Sequence, residues 1–224
     1  MKTKICVPIC ERRQGVAILK AKKAIKQGAS LVEIWLDCLN NLDLTALFRE
    51  ISCPVIAVCK ARNEGGTFDG SARARVDLLA EAAQLGARYI DLDLETAKKI
   101  RSQLRKHRRK LIVSYHNYEK TPPLSVLEIK VKEALKAGAA IVKIATHINR
   151  IEDNAVLFEV LQRAVKRGTK IIVIGMGEKG TISRTAAPFL GSYLTFVALD
   201  ERSSTAPGQL TIGAFKKFLK QYAG

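Results

Sequence analysis

Lys143 stands inside an apolar run, Gly138-Ala139-Ala140-Ile141-Val142-Lys143-Ile144-Ala145-Thr146. A short apolar run that begins at a glycine reads as an interior strand of a parallel sheet. A cation there must be paired or lose its charge. Burial lowers a lysine's pKa, and a neutral amine attacks carbonyl carbons. Lys143 could equally snorkel at a strand end or pair with a buried acid, so alone it leaves three readings open. Side-chain alternation in the other strands narrows them. Along 110–116, Leu111, Val113 and Tyr115 form an outward set, leaving Ile112, Ser114 and His116 inward. Along 31–37, Val32, Ile34 and Leu36 point outward, forcing Glu33, Trp35 and Asp37 inward. Along 89–94 the inward pair is Asp91 and Asp93. Glu33, Asp91, His116 and Lys143 are therefore expected around one interior. An amine beside an imidazole is the minimum kit for imine chemistry with proton transfer. The plainer alternatives are a hydrogen-bonded core role for His116 and a loop-tying role for Asp91 or Asp93. His107 and His147 read as surface groups.

These side chains need a frame that aims them inward. Strand-like segments fall at residues 4–9, 31–36, 54–60, 89–94, 110–116, 140–145, 170–174 and 193–199. Helix-like segments between them include 14–27, 71–85, 96–107, 123–137 and 151–167, with a last helix near 208–222. Gly28, Gly86, Gly138 and Gly168 each close a helical stretch before a strand, as C-cap glycines do. Eight strand–helix units predict an α/β fold, a (β/α)8 TIM barrel, as a single compact domain over residues 1–224. A doubly wound open sheet is the second choice. Active sites of such barrels lie at the C-terminal ends of the strands.

Composition excludes several classes. No run of eighteen apolar residues exists, so no membrane helix is expected, and the N-terminus carries no evident signal peptide. The expected location is the cytoplasm. Five cysteines, at 6, 10, 38, 53 and 59, form no redox or zinc spacing and read as buried reduced thiols. The net charge of +17 and the run from Arg101 to Lys110 invite a nucleic-acid reading. These charges sit on helix-like segments without interleaved aromatics, so a small anionic ligand is preferred and nucleic acid is unlikely.

One motif competes. Gly175-Met176-Gly177-Glu178-Lys179-Gly180 fits the dinucleotide fingerprint, and Asp200 lies where a ribose-binding acid falls. Only one strand and one helix follow it, too little for a dinucleotide-binding half-fold. The loop after strand seven of a barrel is also a common anion site. NAD binding stays a minor alternative.

Longer strings carry a resemblance. They include Glu33-Ile34-Trp35-Leu36-Asp37, Glu64-Gly65-Gly66, Ser114-Tyr115-His116-Asn117-Tyr118 with Lys120-Thr121-Pro122, and Ile141-Val142-Lys143-Ile144-Ala145. Met176-Gly177-Glu178-Lys179-Gly180 with Ser183-Arg184, then Gly191-Ser192 and Ala206-Pro207-Gly208-Gln209, follow in order. Over nearly its whole length the chain resembles the type I 3-dehydroquinate dehydratases. The resemblance implies a lyase of the shikimate pathway that converts 3-dehydroquinate to 3-dehydroshikimate with no metal or cofactor, in a homodimer. It implies a Schiff base at Lys143 and acid–base catalysis by His116. It assigns Glu33 to substrate hydroxyls, Arg184 to the substrate carboxylate, and Thr205 and Gln209 to a closing loop. It places Glu64 behind the site near His116, with Asp91 also in that supporting role. Three positions depart from the family pattern. Trp35 stands where an arginine is usual, Lys60 replaces a second arginine, and Thr205 replaces a serine. Lys60 keeps charge but loses the planar fork, and Arg62 is a possible substitute. A weakened dehydratase, or a Schiff-base enzyme for another small keto acid, follows as the alternative.

Overall fold

The computed structural model describes residues 4–100 and 103–222. Eight parallel strands form one sheet: β1 (Ile5–Ile9), β2 (Leu31–Trp35), β3 (Val55–Val58), β4 (Tyr89–Asp93), β5 (Leu111–Asn117), β6 (Ile141–His147), β7 (Ile171–Met176) and β8 (Thr195–Phe196). Their order, β7-β6-β5-β4-β3-β2-β1-β8, follows the chain around a nearly closed barrel. The doubly wound alternative fails here, because it requires a strand order that reverses at a switch point. At the β7–β8 seam, the Tyr193 N–H donates to the Ile171 carbonyl at 2.7 Å.

The helices are α1 (Gln14–Lys26), α2 (Leu44–Glu50), α3 (Ala72–Gln84), α4 (Leu94–Lys99), α5 (Leu124–Ala137), α6 (Asp153–Lys166), α7 (Thr181–Ala186) and α8 (Ile212–Tyr222). Strand residues of one parity, such as Val32, Ile34, Ile90, Leu92 and Val142, meet the helices in the main core. Residues of the other parity, such as Ile56, Ile112, Ile141, Ile172 and Phe196, fill a smaller core inside the barrel. Two packed layers of opposite parity are what a buried parallel strand needs. Among the described residues no helix is long and apolar enough to cross a membrane.

Three local expectations change. The helix expected over 96–107 ends at Lys99, and residues 103–110 form a 3-10 stretch; residues 101 and 102 lie outside the described residues. Its basic residues repel at helical spacing and have no apolar stripe to bury. Asp37 leaves the barrel: it sits in a 3-10 turn past β2 and accepts from the Lys60 and Thr67 amides at 2.9 Å. The thiol expectation fails for two cysteines, because Cys10 and Cys38 form a disulfide. Parallel pairing of Ile9 with Ile34 continues to a bridge between Arg13 and Asn40, which brings the two Cα atoms to 5.7 Å. That distance lies within disulfide range. Cys6 and Cys59 are buried free thiols, with burial pushing Cys59 up to about 12, while Cys53 is only half-buried.

The disulfide spans 28 residues of sequence. Closing a loop of that length stabilises a fold by about 3 kcal/mol through the unfolded chain. Reductant should therefore lower the urea midpoint, and the Cys10→Ser/Cys38→Ser variant should show the same lower midpoint with or without reductant. Equal midpoints for oxidised and reduced wild type contradict this.

Candidate active site

Lys143 occupies the middle of β6 with its side chain inside the barrel, only 4% exposed. Its Nζ lies 2.8 Å from Asp91 Oδ2 on β4 and 3.5 Å from Glu33 Oε2 on β2. It also rests 4.8 Å from the Phe196 ring centroid. Burial alone pulls its pKa down, but the charges of Asp91 and Glu33 and the Asp91 hydrogen bond outweigh that and raise it. Of the readings the sequence leaves open, pairing with buried acids holds over loss of charge: in this state Lys143 is an ammonium held by two buried carboxylates. Asp91 is correspondingly a direct ion-pair partner of Lys143 rather than a distant support.

His116 comes from the next strand. In the β5–β6 register Ser114 faces Lys143 and His116 faces Ala145, so the imidazole stands two residues nearer the barrel mouth. Its ring stacks on Tyr118, centroids 5.7 Å apart and planes 8° from parallel. Burial, then the charges of Lys60 and Lys143, hold its pKa well below the ordinary histidine value. A neutral base therefore faces a protonated amine. Glu64, expected behind the site near His116, pairs its carboxylate with the guanidinium of Arg75 on α3. Arg75, buried, also binds Asp93 Oδ2 and Thr96 Oγ1 at 2.6 Å each. The Glu64 carbonyl accepts from the Tyr118 hydroxyl at 2.8 Å, which ties it to the ring that stacks on His116.

A cavity of about 200 Å³ opens at the C-terminal mouth. Glu33, Lys60, Glu64, His116, Lys143, Arg184, Thr205 and Gln209 line it, while Asp91 lies outside its wall beneath Lys143. Arg184, on α7, is 5% exposed with its Nε unbonded, and no acid pairs with it among the described residues. Burial lowers its pKa to about 10. An unpaired buried guanidinium beside a cavity is an anion site in waiting. The Thr205 amide donates to Gln209 Oε1 at 3.1 Å, which folds the loop over the mouth. Arg62 does not replace the missing arginine, being exposed and paired with Asp69 at 3.4 Å. His147 is half-buried beside Gly177, where an added Cβ would meet its ring at 3.0 Å.

The glycine string serves packing. Gly177 has φ +81°, and a Cβ on Gly180 would lie 2.4 Å from the Gly175 carbonyl oxygen. The Gly175 amide donates to Ser183 Oγ and the Gly180 amide to the Gly177 carbonyl, so neither is free for a phosphate. Asp200 pairs with Lys23 and accepts from Ser203. The closing loop docks on this turn: a Cβ on Gly208 would meet the Gly177 carbonyl at 2.3 Å, and Thr181 Oγ1 donates to the Gly208 carbonyl. Phe196, Tyr118 and Arg75 were not singled out from sequence. Inward parity in the last strand marks Phe196, but no local signal tells that Arg75 is buried and paired.

A sequence model of type I 3-dehydroquinases matches residues 5–224. A 3-dehydroquinate dehydratase of Desulfotalea psychrophila is 34% identical, covering 98% of each chain. One from Methanococcus maripaludis is 36% identical, covering 96% of this chain and 98% of its own. Among solved structures, the Aquifex aeolicus 3-dehydroquinate dehydratase superposes with TM-score 0.82 at 28% identity, covering 98% of this chain and 99% of that one. The Clostridium difficile type I enzyme, solved with covalently modified comenic acid, gives TM-score 0.88 at 26% identity, covering 98% and 92%.

Proposed function

The chain belongs to the type I 3-dehydroquinase family, and from that membership we propose that it dehydrates 3-dehydroquinate through an imine on Lys143, with His116 carrying the protons. The observation that carries this reading is a buried lysine between two carboxylates, one strand from a neutral imidazole, beneath a cavity that holds an unpaired arginine.

The sequence of steps follows from these charges. Arg184 forks onto the substrate carboxylate, and Glu33 with the closing loop orients the hydroxyls. The Lys143 ammonium gives up a proton, for which neutral His116 is the acceptor. The amine then adds to the ketone, the carbinolamine hydroxyl takes that proton back from His116 and leaves as water, and a protonated imine remains beside a neutral His116. That cation drains electrons from the adjacent C–H bond, so His116 removes the proton and an enamine forms. The enamine pair expels the neighbouring hydroxyl, which takes the proton back from His116 and leaves as water. Water finally hydrolyses the imine and frees Lys143. Asp91, 2.8 Å from the Lys143 nitrogen, is placed to stabilise each cationic nitrogen.

The covalent ligand in the Clostridium difficile relative supports covalent chemistry in this fold. Cytoplasmic residence and homodimerisation belong to the same reading, the second checked by light scattering. The decisive assay follows the ultraviolet absorbance of the conjugated enone product; wild type that produces none from 3-dehydroquinate ends the reading. A parallel comparison with other small keto acids tests whether Trp35 and Lys60 have moved the preference. Removing the carboxylate anchor should appear mainly in binding. Arg184→Ala is expected to raise KM ~30–1000-fold, since a buried charge pair truncated on one side loses about 2–4 kcal/mol. An unchanged KM in a folded Arg184→Ala variant moves the carboxylate elsewhere.

A further inference from the structure

Trp35 occupies the inward position one layer above Glu33 on β2, and β3 pairs it with Val58. Continuing β3 by two residues places Lys60 on the same inner wall, just above the indole. The indole is bonded on two sides. Its Nε1–H donates to Glu33 Oε1 at 3.0 Å, and its ring carries the Lys60 Nζ at 4.3 Å from the centroid.

Each contact solves a problem that nothing else nearby solves. Glu33 is a buried carboxylate whose other oxygen, Oε2, is 3.5 Å from Lys143, a looser contact than the 2.8 Å from Asp91. With Oε1 anchored by the indole, Glu33 cannot rotate to close fully on Lys143. It therefore keeps a fixed face toward the cavity. Lys60 has no acid within ion-pair distance among the described residues, so the aromatic face is its one close partner. A long ammonium side chain without such a seat sweeps many rotamers.

Resting on the dehydration reading above, we infer that Trp35 is a positioning residue for that reaction: its N–H sets the Glu33 carboxylate against Lys143, and its ring holds the Lys60 ammonium on the cavity wall. One side chain thereby aligns an anion that acts near the reacting nitrogen and a cation that faces the substrate. The two duties are chemically separable, because phenylalanine keeps a ring and loses the N–H, whereas leucine loses both.

The test is steady-state kinetics on 3-dehydroquinate for wild type, Trp35→Phe, Trp35→Leu, Glu33→Gln and the double variant Trp35→Phe/Glu33→Gln. Loss of one hydrogen bond to a buried charge predicts about a tenfold fall in kcat for Trp35→Phe, with KM within ~3-fold of wild type. Trp35→Leu should match that fall in kcat and raise KM about tenfold as Lys60 is unseated. If the indole acts through Glu33, the double variant is no slower than Glu33→Gln alone. A kcat for Trp35→Phe within twofold of wild type overturns the inference, and so does a double variant whose loss is the product of the single losses. Should Trp35→Leu not fold, the cycle with phenylalanine still decides. Wild type that leaves 3-dehydroquinate untouched removes the dehydration reading and this one with it, whereas an active wild type beside an unaffected Trp35→Phe removes this one alone.

Discussion

Lys143→Ala is expected to lower kcat for 3-dehydroquinate by ~10⁴–10⁶-fold, the loss seen when a covalent nucleophile is deleted and only binding is left. Borohydride added during turnover should attach the reduced substrate to Lys143 in wild type and to nothing in the variant. Peptide mass mapping distinguishes the two. The variant should also be less stable. Asp91 and Glu33 are almost wholly buried and share the Lys143 charge, and Asp91 Oδ1 already lacks a partner. Removing the cation leaves two uncompensated carboxylates, a change that costs about 3–5 kcal/mol in comparable buried pairs. Because the folded pKa of Lys143 lies above its ordinary value of 10.5, the stability it contributes is complete below that pH and declines only as pH rises through the folded value. Melting curves at neutral pH therefore report the missing ion pair without interference from Lys143 titration. An active wild type matched by a folded Lys143→Ala variant rules out the imine route.

Legibility from sequence divides along a physical line. Periodicity is local, so alternate residues in β2, β4, β5 and β6 marked Glu33, Asp91, His116 and Lys143 as inward, and the helix-closing glycines marked where strands begin. Gly28, Gly86, Gly138 and Gly168 all have positive φ, the conformation that reading requires. Short elements carry too little periodicity: α2 and α7 have seven and six residues, and β8 only two. Partners across the barrel are not local at all. The state of Lys143 stays open in the sequence because burial is visible in its flanking residues, whereas Asp91 belongs to a strand two places away around the sheet. The Cys10–Cys38 disulfide depends on the β1–β2 register, and cysteine spacing does not encode that. Arg75 reads as an ordinary exposed helix residue until Glu64, Asp93 and Thr96 converge on it from three other segments.

His116→Ala is expected to lower kcat by ~10²–10⁴-fold, the usual contribution of a positioned acid–base group. Its effect differs in kind from loss of Lys143: the amine survives, so borohydride should still trap an adduct, more slowly. The pH profile supplies the sharper test. A base works in its deprotonated form, and the surroundings hold His116 well below its ordinary value of 6.5. The acidic limb of kcat/KM in wild type should therefore lie below pH 6.5, and the variant should lose it. Stability runs the same way. A half-buried histidine with a depressed folded pKa resists protonation that the unfolded chain accepts, so its contribution is present above pH 6.5 and is lost as pH falls through the window below it. Wild type should thus lose more melting temperature between pH 7 and pH 5 than His116→Ala does. An acidic limb at or above 6.5, or one that persists in the variant, assigns the proton transfers to another group. The other carboxylates at this cavity are already committed to cations, Glu33 and Asp91 to Lys143 and Glu64 to Arg75.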